Sequence, residues 1–190
     1  NERADWQTSE NARATEALAH ILAPLIAQKG LNQKRSYQIG GKTRSFTLQD
    51  IFVMGLNYGN DSNAQRLLGG ENWQAAEFEQ LLSQLNADQL NALQGVWDTF
   101  EQYKPQIAEV TRRVLGIEPE WIAPRPFTIT SADGQTVTLR GGYYPVMYDP
   151  RASAVAADQE LHDMESGAYS AAVINRGFLK SRVAEVHNRP

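Results

Sequence analysis

Apolar residues recur at helical spacing through the first 115 positions of the chain and alternate at strand spacing in only two short stretches. Leu18, Ile21, Leu22, Leu25 and Ile26 stand at i, i+3, i+4, i+7 and i+8, one stripe of an amphipathic helix. Thr8 or Ser9 is placed to cap it and Gly30 to stop it, while Pro24 inside the pattern predicts a kink or break. Residues 36–47 read Ser-Tyr-Gln-Ile-Gly-Gly-Lys-Thr-Arg-Ser-Phe-Thr. Two short runs flank a glycine pair that tolerates positive φ, so a hairpin is predicted near 35–47. Thr47 and Asp50 then open a helix through Ile51, Phe52 and Leu56, expected to stop near Gly59. Asn60, Asp61 and Ser62 can cap a short helix carrying Arg66, Leu67 and Leu68, ended by Gly69 and Gly70. Trp73, Phe78, Leu81, Leu82 and Leu85 predict a further helix. Asn86 and Gln89 form the capping-box pattern of the longest one. Its stripe runs through Leu90, Leu93, Trp97, Phe100, Ile107, Val110 and Val114, with a bend at Pro105 and an end at Gly116.

The pattern changes after Gly116. Pro119, Pro124 and Pro126 stiffen an extended crossing, and Phe-Thr-Ile-Thr and Thr-Val-Thr-Leu alternate around Asp133 and Gly134 as a second hairpin. Beyond 150 the chain is Ala-rich and polar. The fold expected is mainly α, a helical domain with two short β-hairpins and a C-terminal arm; an α+β arrangement stays open. Its organisation reads as a helical body over 1–116, a Pro-rich crossing and second hairpin over 117–150, and an arm over 151–190. The arm is expected to be helical or partly disordered and to need a partner for its apolar positions. The absence of an initiator Met and the polar ends suggest a fragment of a larger chain.

Composition adds a few exclusions. No apolar run approaches the roughly 20 residues that span a bilayer. No cysteine is present, which removes disulfides, thiolate nucleophiles and Cys-based zinc sites. A net charge of −4 argues against a nucleic-acid binder that uses its whole surface. The charge is uneven, however. Residues 29–44 hold Lys29, Lys34, Arg35, Lys42 and Arg44 without an acid, residues 71–109 hold seven acids against Lys104, and the tail holds Arg176, Lys180, Arg182 and Arg189 against Glu185. Each run reads either as a solvated face or as part of two basic attachment points on an acidic body.

Candidate chemistry is sparse. His20, His162 and His187 are dispersed, so neither a metal nor a cofactor is expected. Gly40-Gly41-Lys42-Thr43 resembles the end of a phosphate-binding loop but lacks its first glycine and lies in a hairpin. Glu118 with Glu120, and Glu160 with Asp163 and Glu165, are possible acid–base pairs in contexts too polar to raise a carboxyl pKa. The corner at 56–63, Leu-Asn-Tyr-Gly-Asn-Asp-Ser-Asn, suits a helix–helix junction or a polar pocket. The densest segment is Arg140-Gly-Gly-Tyr-Tyr-Pro-Val-Met-Tyr-Asp-Pro-Arg151. Its tyrosines offer either stacking faces for unpaired bases or packing against the helices. A nucleic-acid contact would therefore use Lys34, Arg35, Lys42 and Arg44 on the first hairpin and Arg140, Tyr143, Tyr144 and Arg151 near the second.

The order of these motifs resembles an interior segment of very large phage and prophage proteins. The likeness rests on Thr-Leu-x-Asp, Leu-Asn-Tyr-Gly-Asn, Asn-Ala-Gln-Arg-Leu-Leu, Trp97-Asp98, Leu-Gly-Ile-Glu-Pro-Glu-Trp and the Gly-Gly-Tyr-Tyr segment, over residues 46–151. Those proteins are polyvalent chains of the ejected internal virion and antirestriction type. The resemblance implies a role in delivery or protection of injected DNA and a location in the virion or host cytoplasm. The partners expected are the rest of the parent polypeptide or other virion proteins, and no active-site residue is carried over from the resemblance. The expectation is a non-enzymatic docking module that can touch DNA. The alternative is an enzyme module, a nuclease or cell-wall hydrolase, built on clustered carboxylates.

Overall fold

The computed structural model describes residues 2–145, with side chains from residue 9 onward; the predicted arm at 151–190 and Arg151 lie outside the described residues. The fold is mainly α. Its elements are α1 (Glu2–Ile26), β1 (Arg35–Ile39), β2 (Lys42–Phe46), α2 (Leu48–Leu56), α3 (Asp61–Glu71), α4 (Ala75–Leu82), α5 (Ala87–Glu101), α6 (Lys104–Leu115), β3 (Phe127–Thr130) and β4 (Thr136–Leu139). The strands form two separate antiparallel ribbons, β1–β2 and β3–β4.

Helix starts follow the local chemistry. Thr47 Oγ1 accepts from Asp50 N at 3.0 Å while Asp50 Oδ2 accepts from Thr47 N at 2.8 Å, so α2 opens on a reciprocal capping box. Asn60 caps α3 through Asn63 N, and Asn86 with Gln89 caps α5 in the same reciprocal way. At the start of α4 Glu77 Oε2 accepts from Gln74 N at 2.9 Å, one half of such a box. In the first ribbon Ile39 pairs with Lys42, leaving Gly40 (φ +61°) and Gly41 (φ +69°) as a two-residue turn of the twist that hairpins prefer.

Three boundaries differ from the sequence expectation. α1 begins at Glu2, ahead of the proposed caps, and carries Pro24 in its last turn; the missing amide leaves the His20 carbonyl without its intrahelical donor, and the helix ends two residues later at Ile26. α3 runs through Gly69 and Gly70 to Glu71 and stops at Asn72, whose φ of +55° makes it the left-handed cap. The long helix predicted to bend at Pro105 is instead two helices. Pro105 occupies the first turn of α6, where its lost amide would have had no intrahelical partner. Restarting there avoids the clash that a proline imposes on the carbonyl four residues back. As a result Val110 and Val114, expected in the core, are exposed.

One apolar core joins both ribbons to the helices. Ile51, Phe52, Phe78, Leu82, Leu85, Leu90, Leu93 and Trp97 are buried in it together with Ile39 from the first ribbon and Ile129, Val137 and Leu139 from the second. α1 lies on α5 through Leu18, Ile21, Leu22 and Leu25; a Cβ on Gly95 would come within 2.9 Å of Ile21 Cγ2, so the glycine sets how closely the two helices approach. Gln89 also donates to Gln28 across this junction. Among the described residues no helix is long and apolar enough to cross a membrane.

Candidate nucleic-acid interface

The first ribbon separates its basic residues. Directly opposed residues share a face, and successive residues alternate. The register Arg35↔Phe46, Tyr37↔Arg44 and Ile39↔Lys42 therefore puts Arg35, Lys42 and Arg44 on the side of the apolar anchors, while Ser36, Gln38, Thr43 and Ser45 form a neutral outer face. That outer face is tied across by Gln38 Nε2 donating to Thr43 Oγ1 at 2.6 Å and by the paired Ser36 and Ser45 hydroxyls at 3.3 Å. Arg44 does not reach solvent freely. Its guanidinium lies 5.6 Å from the Trp73 ring centre and donates to Glu71 Oε2 at 2.9 Å. Lys34, Arg35 and Lys42 are exposed and make no ion pair with a described residue. Arg35 and Lys42 sit at opposite ends of the ribbon, about 13 Å apart at ~3.3 Å per residue.

The ribbon is held firmly against the body. Trp73 meets Phe46 edge-on at 5.9 Å and stacks on Phe78 at 6.0 Å, and Tyr37 stacks on Phe46 at 6.4 Å. Gly40 N donates to Glu77 Oε1 at 3.2 Å, and a Cβ on Gly40 would fall 2.8 Å from Trp73 Cδ1. Trp73 Nε1 and Tyr37 Oη are buried without a hydrogen-bond partner.

The second proposed surface is closed. Tyr143 is 1% exposed and packs with Ile107 of α6. Its ring has no free face for a base, so the stacking role expected for it is corrected to packing. Tyr144 is half-buried and meets Phe100 edge-on at 5.8 Å, and burial pushes its hydroxyl pKa above the ordinary value. Arg140 is exposed, but its Nη2 donates to both oxygens of Asp98 at 2.7 and 2.6 Å, and its backbone amide donates to Gln94 Oε1 at 2.8 Å. The segment at 140–144 is thus bound along α5 rather than displayed.

What closes it is the corner at 56–63. Gly59 O accepts the amides of Arg125 (2.8 Å) and Gly142 (2.7 Å). Asn60 Nδ2 donates to Gly142 O at 3.2 Å and Asn63 Nδ2 to Tyr144 O at 3.0 Å. Trp97 Nε1 donates to Leu56 O at 3.0 Å. Gly59 O and the amide nitrogens of Asn60 and Asn63 join distant backbone, which favours the junction over the polar pocket, while Asn57 Oδ1 and Asn63 Oδ1 are buried without a hydrogen-bond partner.

A cluster that the motif reading did not single out lies beside this corner. Tyr58 Oη donates to Glu79 Oε1 at 2.8 Å, and Arg125 lies 4.3 Å from the Tyr58 ring centre with its Nε 3.4 Å from Asp61 Oδ1. Burial and the Glu79 carboxylate raise the Tyr58 pKa, with Arg125 opposing. A fully buried, neutral phenol suits holding a ring in place, not moving a proton to a substrate. The sequence signal was Arg125 between Pro124 and Pro126, where extended backbone fixes the direction of a long side chain.

The candidate carboxylate pairs do not gather. Glu118 and Glu120 are exposed, with Glu118 bound to Arg112 at 2.9 Å, and Glu160, Asp163 and Glu165 lie outside the described residues. Glu71, Glu77 and Glu79 are engaged by Arg44, by backbone amides and by Tyr58. Among the described residues no group of three His, Asp or Glu side chains is placed to hold a metal ion. A cleft of about 270 Å³ between α1 and the α5–α6 junction, lined by Glu10, Arg13, Thr99, Gln102, Tyr103 and Gln106 among others, contains none of the residues the motifs indicated. Comparisons with protein-family models, with curated proteins and with solved structures find no match to the chain.

Proposed function

We propose that the chain is a non-catalytic docking module of a larger phage-derived protein, and that its first ribbon is the point of contact with nucleic acid. The phage assignment, with virion or host cytoplasm as its location and other parts of the parent chain or other virion proteins as partners, is supported by the motif resemblance over residues 46–151. The nucleic-acid contact is carried by one observation: Lys34, Arg35 and Lys42 are exposed and make no ion pair with a described residue, at the two ends of a ribbon whose Phe46 is packed against Trp73 of the body. Arg44, Arg140 and Tyr143 are dropped from the contact set, because each is already engaged by the body.

Backbone contact of this kind is independent of sequence and falls with salt as counterions are released. Three phosphate contacts on duplex DNA predict a slope of about −2.7 in log K against log salt, at about −0.9 per contact. The test is a titration of labelled duplex and single-stranded DNA at about 50 mM salt. Wild type should bind both weakly, and the triple variant Lys34→Glu, Arg35→Glu, Lys42→Glu should lose binding. Tyr144→Ala should leave it unchanged. Equal binding by the triple variant, or no binding by wild type at high micromolar protein, removes the ribbon from this role.

A further inference from the structure

The first ribbon turns an uncharged hydrogen-bonding face to solvent. Ser36, Gln38, Thr43 and Ser45 are all exposed on it, and no third described strand joins β1–β2. Gln38 Nε2 gives one hydrogen to Thr43 Oγ1. Its second hydrogen and Oε1 bond no other described residue, so the carboxamide is held in place with one donor and one acceptor free. Ser36 and Gln38 stand about 6.6 Å apart on β1, at ~3.3 Å per residue. That is close to two steps of a duplex, at about 3.4 Å per step.

We propose that this face lies in the major groove of duplex DNA and reads base edges there, with Gln38 on an adenine. The major groove is about 12 Å wide and admits a two-stranded ribbon. Adenine presents N7 as an acceptor and N6–H as a donor in it, the complement of the two free groups of Gln38. The serine and threonine hydroxyls suit either kind of edge. Base recognition rests on the backbone contact proposed above and adds a sequence-dependent part to it. Arg35 stands on β1 and Lys42 on β2, at opposite ends, so the cations flank the outer face diagonally at a separation close to the groove's width. Neighbouring acids do not pair with them. No Asp or Glu occurs between residues 29 and 49, Asp50 accepts from Thr47 N, Glu71 is bound to Arg44, and Glu77 accepts from Gly40 N and Gln74 N. The second ribbon is the internal contrast. Its outer face of Thr128, Thr130, Thr136 and Thr138 is equally exposed and uncharged. There, however, Arg125 and Arg140 are bound to Asp61 and Asp98, and Asp133 stands in the turn. Charge therefore selects the first ribbon for a polyanion.

The test mixes the full chain with short DNA duplexes of randomised centre at low salt and sequences the bound fraction over successive rounds. Wild type should enrich a sequence that contains adenine. The enriched duplex should bind at least about five-fold tighter than one in which that base pair is changed. Replacing the adenine by 7-deazaadenine, which puts C–H in place of the N7 acceptor, should remove most of the preference. Gln38→Ala combined with Thr43→Ala should lose the preference but keep the affinity for the unselected pool and its salt slope. Thr128→Ala combined with Thr138→Ala should keep all three. Every changed position is exposed, and circular dichroism checks that each variant folds. Binding of the pool by wild type without enrichment, or enrichment of the same sequence by the Gln38 and Thr43 variant, overturns base recognition and leaves the backbone contact standing. No binding of the pool by wild type removes the backbone contact, and base recognition with it.

Discussion

Two glycine pairs in this molecule begin alike and end differently. Gly40 and Gly41 are followed by Lys42, and Gly141 and Gly142 by Tyr143; both pairs have arginine nearby, and both lie against an indole. At the first pair only Gly40 is confined, by Trp73, and a Cβ on Gly41 would meet open space. At the second pair a Cβ on Gly141 would lie 2.3 Å from Arg125 O, and one on Gly142 would lie 2.4 Å from Trp97 Cβ. The flanking residues share these fates: Lys42 is in solvent and Tyr143 is in the core. Glycine permits close approach, but what approaches is decided elsewhere. For the second pair it is decided by Gly59, Asn60 and Asn63, whose hydrogen-bonding groups lie at a helix corner about eighty positions upstream.

The largest expected break of this contrast is Trp97→Ala. It removes a fully buried indole, its bond to Leu56 O and the surface on which Gly142 lies, and should cost about 3–5 kcal/mol. Urea denaturation should show the loss in midpoint, and a change under about 1 kcal/mol would mean that the helix faces water there. Gly142→Ala against Gly41→Ala sharpens the contrast. The first forces a methyl against Trp97 Cβ and Cγ and should cost about 3 kcal/mol. The second pays only for a left-handed residue, about 1 kcal/mol. Equal costs in thermal melts would deny that the two turns differ in packing.

Smaller effects follow from the polar contacts around each pair. Tyr58 beside the corner has its pKa raised by burial and by Glu79. Below the unfolded value of about 10 both states hold the proton and stability is unaffected. Above it the unfolded chain releases the proton first, so stability falls as pH rises toward the folded-state value. Denaturation midpoints between about pH 9 and 11 should decline more steeply for wild type than for Tyr58→Phe; parallel curves would place the phenol in a water-like setting. At the ribbon, Glu71→Gln loosens Arg44 from a half-exposed pair and should cost less than about 1 kcal/mol, shrinking further at high salt.

Much of the fold was legible because its signals are local. The capping pairs Thr47–Asp50 and Asn86–Gln89 each close over three residues, and the glycine turn of the first ribbon needs only its own four. Trp97 was placed in the core correctly, since it shares a stripe with Leu90 and Leu93. The misjudged boundaries depended on distant partners. Gly69 and Gly70 each weaken a helix by about 1 kcal/mol relative to alanine. The burial of Ala64 and Leu67 on the same helix works against that penalty, and the helix continues to Glu71. The candidate site was half legible. Exposure of Lys34, Arg35 and Lys42 follows from a polar turn region, but the burial of Tyr143 and the capture of Arg140 by Asp98 required contacts that no spacing rule contains.

The ties that close the corner also set an order of events. Asn60 reaches Gly142 across 82 positions and Asn63 reaches Tyr144 across 81, whereas the helices close over four. Helical turns form within about a microsecond, while pairings so far apart in the chain must first overcome the entropy of a long loop. During refolding, or as the chain leaves the ribosome, the helices gather before residues 141–144 arrive. Until then the Trp97 flank and the Gly59 carbonyl remain wet. The corner is placed to act as a latch, and the expected outcome is that Trp97 fluorescence reports a late step of refolding.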